Sequence, residues 1–394
     1  MIDLCVIGAG PAGLMAAEVA ADAGFSVLVA DAKPSFGRKF LMAGKSGLNL
    51  TKDEPFDNFT SQYDEAETWL KPLLSEFTNA DVCTWAKDLG QEIFTGTSGR
   101  VFPKAMKASP LLRAWLLRLS GKGVQFQTRW RWTGWNKSTL MFDTPKGLEN
   151  ITPKTTVLAL GGASWPNLGS DGQWSNIFAQ EGIPLQPFKP ANMGFVIHWS
   201  KYMEPHFGMP VKTFHVNADS KTIRGDFVIS SKGIEGSGIY AASKYIREGA
   251  PLVIDLLPDR SLDYLENRIS NVNKKASRSS ILRKSLHLDS TKAALVNEFY
   301  SKIPTVGLPQ TLKSFHIPLQ GPRPIAEAIS TAGGVSQNVL TDTLMLKAKP
   351  SVFCAGEMLD WEAPTGGYLI TGCLATGHHA GRSVVDYLNR SASA

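Results

Sequence analysis

Three glycines near the start of the chain carry its most specific chemistry. Gly8, Gly10 and Gly13 stand in Gly-x-Gly-x-x-Gly spacing. In that pattern a backbone turns tightly, approaches a pyrophosphate and lets a helix lie close to a strand. The free N–H groups and positive dipole end of a helix starting there face the phosphates. Asp31 follows at the distance of the acid that accepts from a ribose diol and repels a 2′-phosphate. Near the other end of the chain, Gly356-Glu357 and Gly366-Gly367-Tyr368-Leu369 form a second set. A glycine-bearing helix start aimed at the same ligand suits the pyrimidine end of a flavin, where its dipole stabilises negative charge at N1/C2=O. Glu357 is placed to accept from a ribityl hydroxyl. A glycine-rich helix with a packing role alone is the competing reading.

The elements around these residues have the order such a site needs. Residues 4–7 are an apolar run short enough for a buried strand, residues 14–23 read as a helix stopped by Gly24, and residues 26–30 read as a second strand. Residues 37–51 hold Gly37, Gly44 and Gly47 with Arg38, Lys39 and Lys45 among apolar side chains, and read as a loop lining an anionic cofactor. Helical character is expected from Asp53 to about Leu89, and after a cap at Ser109 with Pro110 at the first position. Residues 124–132 alternate as one half-buried strand. Interleaved Arg and Trp there also suit base stacking, but the period of two already accounts for them. Residues 156–162 are a strand ending in glycines, and Ser170 and Asp171 offer caps for a helix to about Glu181. Three prolines in 184–190 mark a connector. Short strands with a helix at about 238–247 then occupy 195–256, followed by helical sequence over about 259–315. Strand and helix grammar returns at Ser351.

Composition is that of a globular enzyme, with 43% hydrophobic and 19% charged residues among 394. Two domains are expected at this length. No apolar stretch is long enough to span a bilayer and no signal peptide is evident, so a cytoplasmic protein without membrane contact is expected. The four cysteines lack C-x-x-C spacing, which argues against a dithiol redox centre. No metal site is expected, because the seven histidines show no ligand spacing. Of the net charge of +6, a surplus of five lies between Asp259 and Lys313. It is either a solvated helical face or a polyanion-binding patch for RNA.

Taken together, Gly8–Gly13, Gly37-Arg38-Lys39, Gly44–Thr51, Gly99–Pro103, Ala159–Pro166, Thr331–Val335, Cys354–Glu357 and Gly366–Tyr368 resemble the BaiN/YhiN-type bacterial flavoproteins of the glutathione-reductase-like superfamily. The chain looks like a divergent branch, with Gly47-Leu48-Asn49 where many relatives have Gly-Arg-Cys-Asn. The resemblance implies an α/β fold: a discontinuous, Rossmann-like FAD-binding domain over 1–190 and 331–394. A β-barrel-like insert with a helical cap is implied over 191–330. It implies non-covalent FAD, with Gly8, Gly10, Pro11, Ala12, Gly13, Asp31, Ala32, Arg38, Lys39, Gly44, Asn49, Val124, Ala159, Gly161, Gly356, Glu357, Gly366, Gly367, Tyr368 and Leu369 expected around it.

The activity expected is an FAD-dependent oxidoreduction with hydride moving through flavin N5. The favoured reaction is reduction of an activated C=C bond, or its reverse, in a small molecule. A uracil base in structured RNA is the alternative substrate, and a flavin-binding protein without turnover is the third reading. Only one Gly-x-Gly-x-x-Gly is present, so NAD(P)H as donor must share the substrate cleft or be replaced by another reductant. Candidates for the catalytic acid are Lys45, Ser46 and Asn49 on the loop, and Arg323 and Glu327 where the insert returns. His378 and His379 read as structural. Arg100 either holds a substrate anion or sits in a surface ion pair.

Overall fold

The computed structural model describes residues 2–44, 47–218, 221–273 and 275–392. The chain divides into two compact units, Met1–Lys189 with Ser330–Ala394, and Pro190–Ile329.

The first unit is built on five parallel strands in the spatial order Val352–Cys354, Thr155–Leu158, Leu4–Ile7, Val27–Asp31, Gln125–Thr128. The inner strands are near-continuous apolar runs, and Leu4, Val6, Val29, Val157 and Leu158 are fully buried, as a parallel sheet covered on both faces requires. From Leu4–Ile7 the chain moves outward one way and later returns to fill the other side. The order therefore reverses between Leu4–Ile7 and Thr155–Leu158, and the carboxyl ends of these two strands open a crevice at that switch point. The helix Pro11–Asp22 starts there and packs along the C-terminal helix Tyr368–Ala392. Small residues allow the approach: a Cβ on Gly377 would lie 2.2 Å from the Ala12 carbonyl oxygen.

Three expectations are corrected here. Residues 37–51 are not all loop, since Arg38–Ala43 is a short helix entered from Gly37 at φ 61°. Residues 124–132 are not one strand. Gln125–Thr128 extends the parallel sheet, Arg129 turns through φ 58°, and Arg131–Asn136 joins a separate three-stranded antiparallel sheet. The break follows from backbone hydrogen bonding, with Arg129 N donating to Lys33 O and Trp130 N to Asp31 O. The helix expected to be capped by Ser109 begins two residues earlier, at Ala108, with Lys107 in the cap position.

The second unit is a seven-stranded sheet ordered Phe315–His316, Val253–Asp255, Pro210–Ala218, Lys221–Ser230, Gly233–Glu235, Phe195–Val196, Gly321–Pro322, with antiparallel neighbours. Ser237–Arg247 packs on it through Ile239, Ala242 and Ile246, and Leu262–Ser270, Ser290–Tyr300 and Leu308–Lys313 complete its separate core.

Candidate functional site

The crevice at the switch point is a cavity of about 380 Å³, within the range of small-molecule sites. Twelve of the expected cofactor residues line it: Gly8, Gly10, Pro11, Ala12, Asp31, Ala32, Arg38, Lys39, Ala159, Gly161, Gly356 and Glu357.

The three fingerprint glycines have different reasons to be glycine. At Gly8, with φ 103°, a Cβ would meet Ala159 O at 2.2 Å, and at Gly13 one would meet Gly8 O at 2.0 Å. Both are fixed by the protein's own packing. Gly10 has φ −85° and ψ −178°, open to any residue, and a Cβ there meets nothing within 4 Å. Nothing in the protein demands glycine at this place. A group lying against the backbone would.

Asp31 is held at the edge of the turn. Its Oδ2 accepts from Ala9 N at 3.0 Å and its Oδ1 from Lys33 N at 2.8 Å. Burial pushes its carboxyl above the usual range against the pull of these N–H groups and of the Lys33 and Arg38 cations. Opposite it, Lys39 Nζ donates to both Glu357 oxygens at 2.7 and 2.6 Å and to the fully buried Ser164 hydroxyl at 2.6 Å. Glu357 Oε1 also accepts from Thr331 N at 3.1 Å. The cavity thus has an anion-attracting side at the helix N-terminus and Arg38, and two carboxylates held in place by N–H groups and Lys39.

Sequence reasoning missed one wall of the cavity, formed by Trp130–Thr133 and Leu168–Ile177. Arg131 pairs with Asp171 at 3.1 Å, and Trp174 Nε1 donates to Gly161 O at 2.9 Å. The Trp132 indole N–H, the Ser170 hydroxyl and Arg38 Nε are buried with no partner among the described residues. A buried polar atom left unpaired costs about 1–3 kcal/mol, so three of them on one cavity point to a ligand rich in polar atoms. FAD, with its diphosphate, ribose and ribityl hydroxyls, fits this donor and acceptor set.

The remaining expected cofactor residues lie off the cavity lining. Gly44 packs on Ala108, Val124 is buried, and Leu369 packs against the core. Asn49 Oδ1 is buried without a partner among the described residues. Gly366 and Gly367, at φ 130° and 105°, let the chain lie flat on Thr51, where a Cβ on Gly367 would come within 2.4 Å of Thr51 Cα. Tyr368 donates to Glu54 Oε1 at 2.6 Å and accepts from Lys52 Nζ at 3.0 Å. Burial and this carboxylate raise its phenol well above the ordinary value. Cys373, one and a half turns along the same helix, lines the cavity, and burial pushes its thiol up to about 12. It stays neutral, which suits packing and not nucleophilic chemistry.

Of the catalytic candidates, Lys45 and Ser46 lie outside the described residues. Arg323 donates to Glu235 at 2.9 Å and pairs with Glu327, which also accepts from Lys232 at 2.8 Å. Hydrogen bonds from Lys232 and Arg323 hold the Glu327 carboxyl below its usual range, so it is a poor proton donor. His378 stacks near Phe77, and His379 bridges Glu76 and the Asp342 carbonyl. No group of His, Cys, Asp and Glu among the described residues could hold a metal, and no helix is long and apolar enough to cross a membrane.

The basic segment is less open than its charge count suggests. Arg268, Arg278, Lys292 and Lys313 direct donors at main-chain carbonyls within their own unit. Lys275, Arg283, Lys284 and Lys302 are exposed.

The HI0933-like protein Rossmann domain family matches residues 2–383 of the chain. A ribosomal RNA dihydrouridine synthase of Escherichia coli K12 is 26% identical over 93% of this chain and 94% of its own length. A 3-dehydro-bile acid delta(4,6)-reductase of Clostridium scindens is 25% identical over 97% and 98%. The open conformation of a flavocytochrome c3 fumarate reductase superposes with a TM-score of 0.53 at 18% identity, covering 98% of this chain and 78% of that one. Its likeness is one of fold.

Proposed function

Because the chain belongs to the HI0933-like protein Rossmann domain family, we propose that it is an FAD-dependent oxidoreductase acting on an activated C=C bond of a small molecule. When bound, FAD supplies hydride transfer through N5. The observation that carries the reading is Gly10, a glycine that a close-lying ligand explains, beside three buried polar atoms with no partner among the described residues. The chain's own contribution is placement. The N-terminus of Pro11–Asp22 presents N–H groups to phosphates, Asp31 and Glu357 accept from sugar and ribityl hydroxyls, and the Ala9, Lys33 and Lys39 contacts keep both carboxylates in place before any ligand arrives. The relative named as a bile acid reductase supports a C=C bond as the target.

Purified protein is expected to be yellow. Anaerobic NADH or NADPH is expected to bleach the flavin, and a conjugated enone to restore the colour. A colourless protein that does not take up FAD would refute the reading, and no bleaching with either nucleotide would remove NAD(P)H as the donor.

The second reading keeps the cofactor and changes the substrate to a uracil base in structured RNA. The exposed cations of the helical segment and the relative named as a ribosomal RNA dihydrouridine synthase favour it. With about four phosphates neutralised, RNA affinity should fall roughly 50- to 150-fold between 50 and 200 mM salt. No binding at low salt, or binding indifferent to salt, counts against it.

A further inference from the structure

A three-stranded antiparallel sheet in the first unit, Thr51–Lys52, Arg100–Pro103 and Ile93–Thr95, has two unlike faces. Thr51 and Val101 are buried on one side. Directly paired residues share a face, and the pairs Lys52↔Arg100 and Phe94↔Phe102 together with the period of two place all four side chains on the other. That face is not covered by the described residues: Phe94 is 41% exposed, and Lys52, Arg100 and Phe102 are half-buried. Phe94 and Phe102 stack on one another, with ring centroids 5.5 Å apart and planes 22° from parallel, and the stack gives that face an exposed apolar surface at Phe94.

The two cations differ. Lys52 is neutralised by Glu54 at 2.8 Å and bonded to the Tyr368 hydroxyl. Arg100 has no ion pair or side-chain hydrogen bond among the described residues and acts electrostatically on the Tyr368 phenol, which favours a substrate anchor over a surface ion pair. It also stands beside the start of the C-terminal helix, its Nε 3.7 Å from where a Cβ on Gly366 would be. Along that helix, Cys373 reaches the cofactor cavity about 7.5 Å beyond Tyr368 at 1.5 Å per residue.

We propose that this sheet face is the substrate platform and that the substrate is a conjugated carboxylate. Its carboxylate takes the planar, two-pronged donor set of Arg100, and its flat unsaturated body lies on Phe94 and Phe102. The inference rests on the oxidoreductase reading and adds the substrate class to it. A nucleotide, with a planar base and a phosphate, shares this chemistry and is separated by the test.

The test titrates FAD-loaded protein with trans-cinnamate, cinnamamide and uridine 5′-monophosphate, read by calorimetry and by perturbation of the flavin spectrum. Cinnamate is expected to bind, cinnamamide at least ~10-fold more weakly, and Arg100→Gln to lose the difference between them. Phe102→Ser is expected to weaken both ligands alike. Flavin content and far-ultraviolet dichroism should match wild type in each variant. Absence of cinnamate binding to yellow wild-type protein, or unchanged cinnamate affinity in Arg100→Gln, overturns the proposal. Tighter binding of the nucleotide than of cinnamate overturns the carboxylate assignment. Failure to hold FAD refutes the oxidoreductase reading instead, and calorimetry with cinnamate still decides the platform.

Discussion

Gly10→Val should yield a folded protein without flavin. The Cβ has open space and the backbone at Gly10 is extended, with φ −85°, so the fold has no reason to object. A diphosphate placed against that backbone does, because the new methyl groups stand between it and the helix N–H groups. Hydrogen bonds to a charged partner are worth about 1.5–3 kcal/mol each, and loss of two weakens FAD by at least ~100-fold. Flavin absorbance per protein and the dissociation constant on reconstitution measure this. Gly13→Val is the contrast. Its Cβ is driven to 2.0 Å from the Gly8 carbonyl oxygen, and folded protein should fail to accumulate. If Gly10→Val stays as yellow as wild type, the diphosphate does not lie where this cavity puts it.

Glu18→Ala should be strongly destabilising although Glu18 does not line the cavity. Glu18 is 5% exposed on the helix Pro11–Asp22. It accepts from Trp115 Nε1 at 2.5 Å and Arg118 Nη1 at 3.0 Å, with Lys122 Nζ at 3.6 Å. Truncation strands the N–H of a fully buried tryptophan and removes the countercharge of Arg118. Stranding the buried Trp115 N–H costs about 1–3 kcal/mol, with a smaller loss at the partly exposed Arg118, to be read as a lowered midpoint of urea unfolding. Glu18→Gln keeps an acceptor for Trp115 and should recover part of the loss. Equal midpoints for wild type and Glu18→Ala would show that the Trp115 N–H finds another acceptor.

What could be read without coordinates was local. The turn at Gly8–Gly13 is set by residues a few positions apart, and its strand and helix follow from the apolar runs on either side. Asp31 is legible for the same reason. The wall at Trp130–Thr133 and Leu168–Ile177 was not, because it depends on Arg129 reversing the chain through a hydrogen bond to Lys33, nearly a hundred residues of fold away from its partner loop. Glycines at both ends of Arg38–Ala43 disguised a helix as a loop. Charge counting failed in the helical segment because long cationic side chains can cap carbonyls from within, as Arg278 does at Tyr300 and Ile303. Arg100 was named, but that it forms no ion pair among the described residues emerges only when its neighbours are in place.

The strands Gln186–Ala191 and Ser330–Gly334 lie side by side as a two-stranded ladder, so the polypeptide departs for residues 190–329 and comes home at almost the same spot. Close entry and exit points of this kind are what lets a chain accept an inserted domain. Across evolutionary time such a cassette can lengthen, shrink or be exchanged while the nucleotide cradle keeps its shape, and descent within this lineage can vary one half of the molecule at a pace the other half does not share.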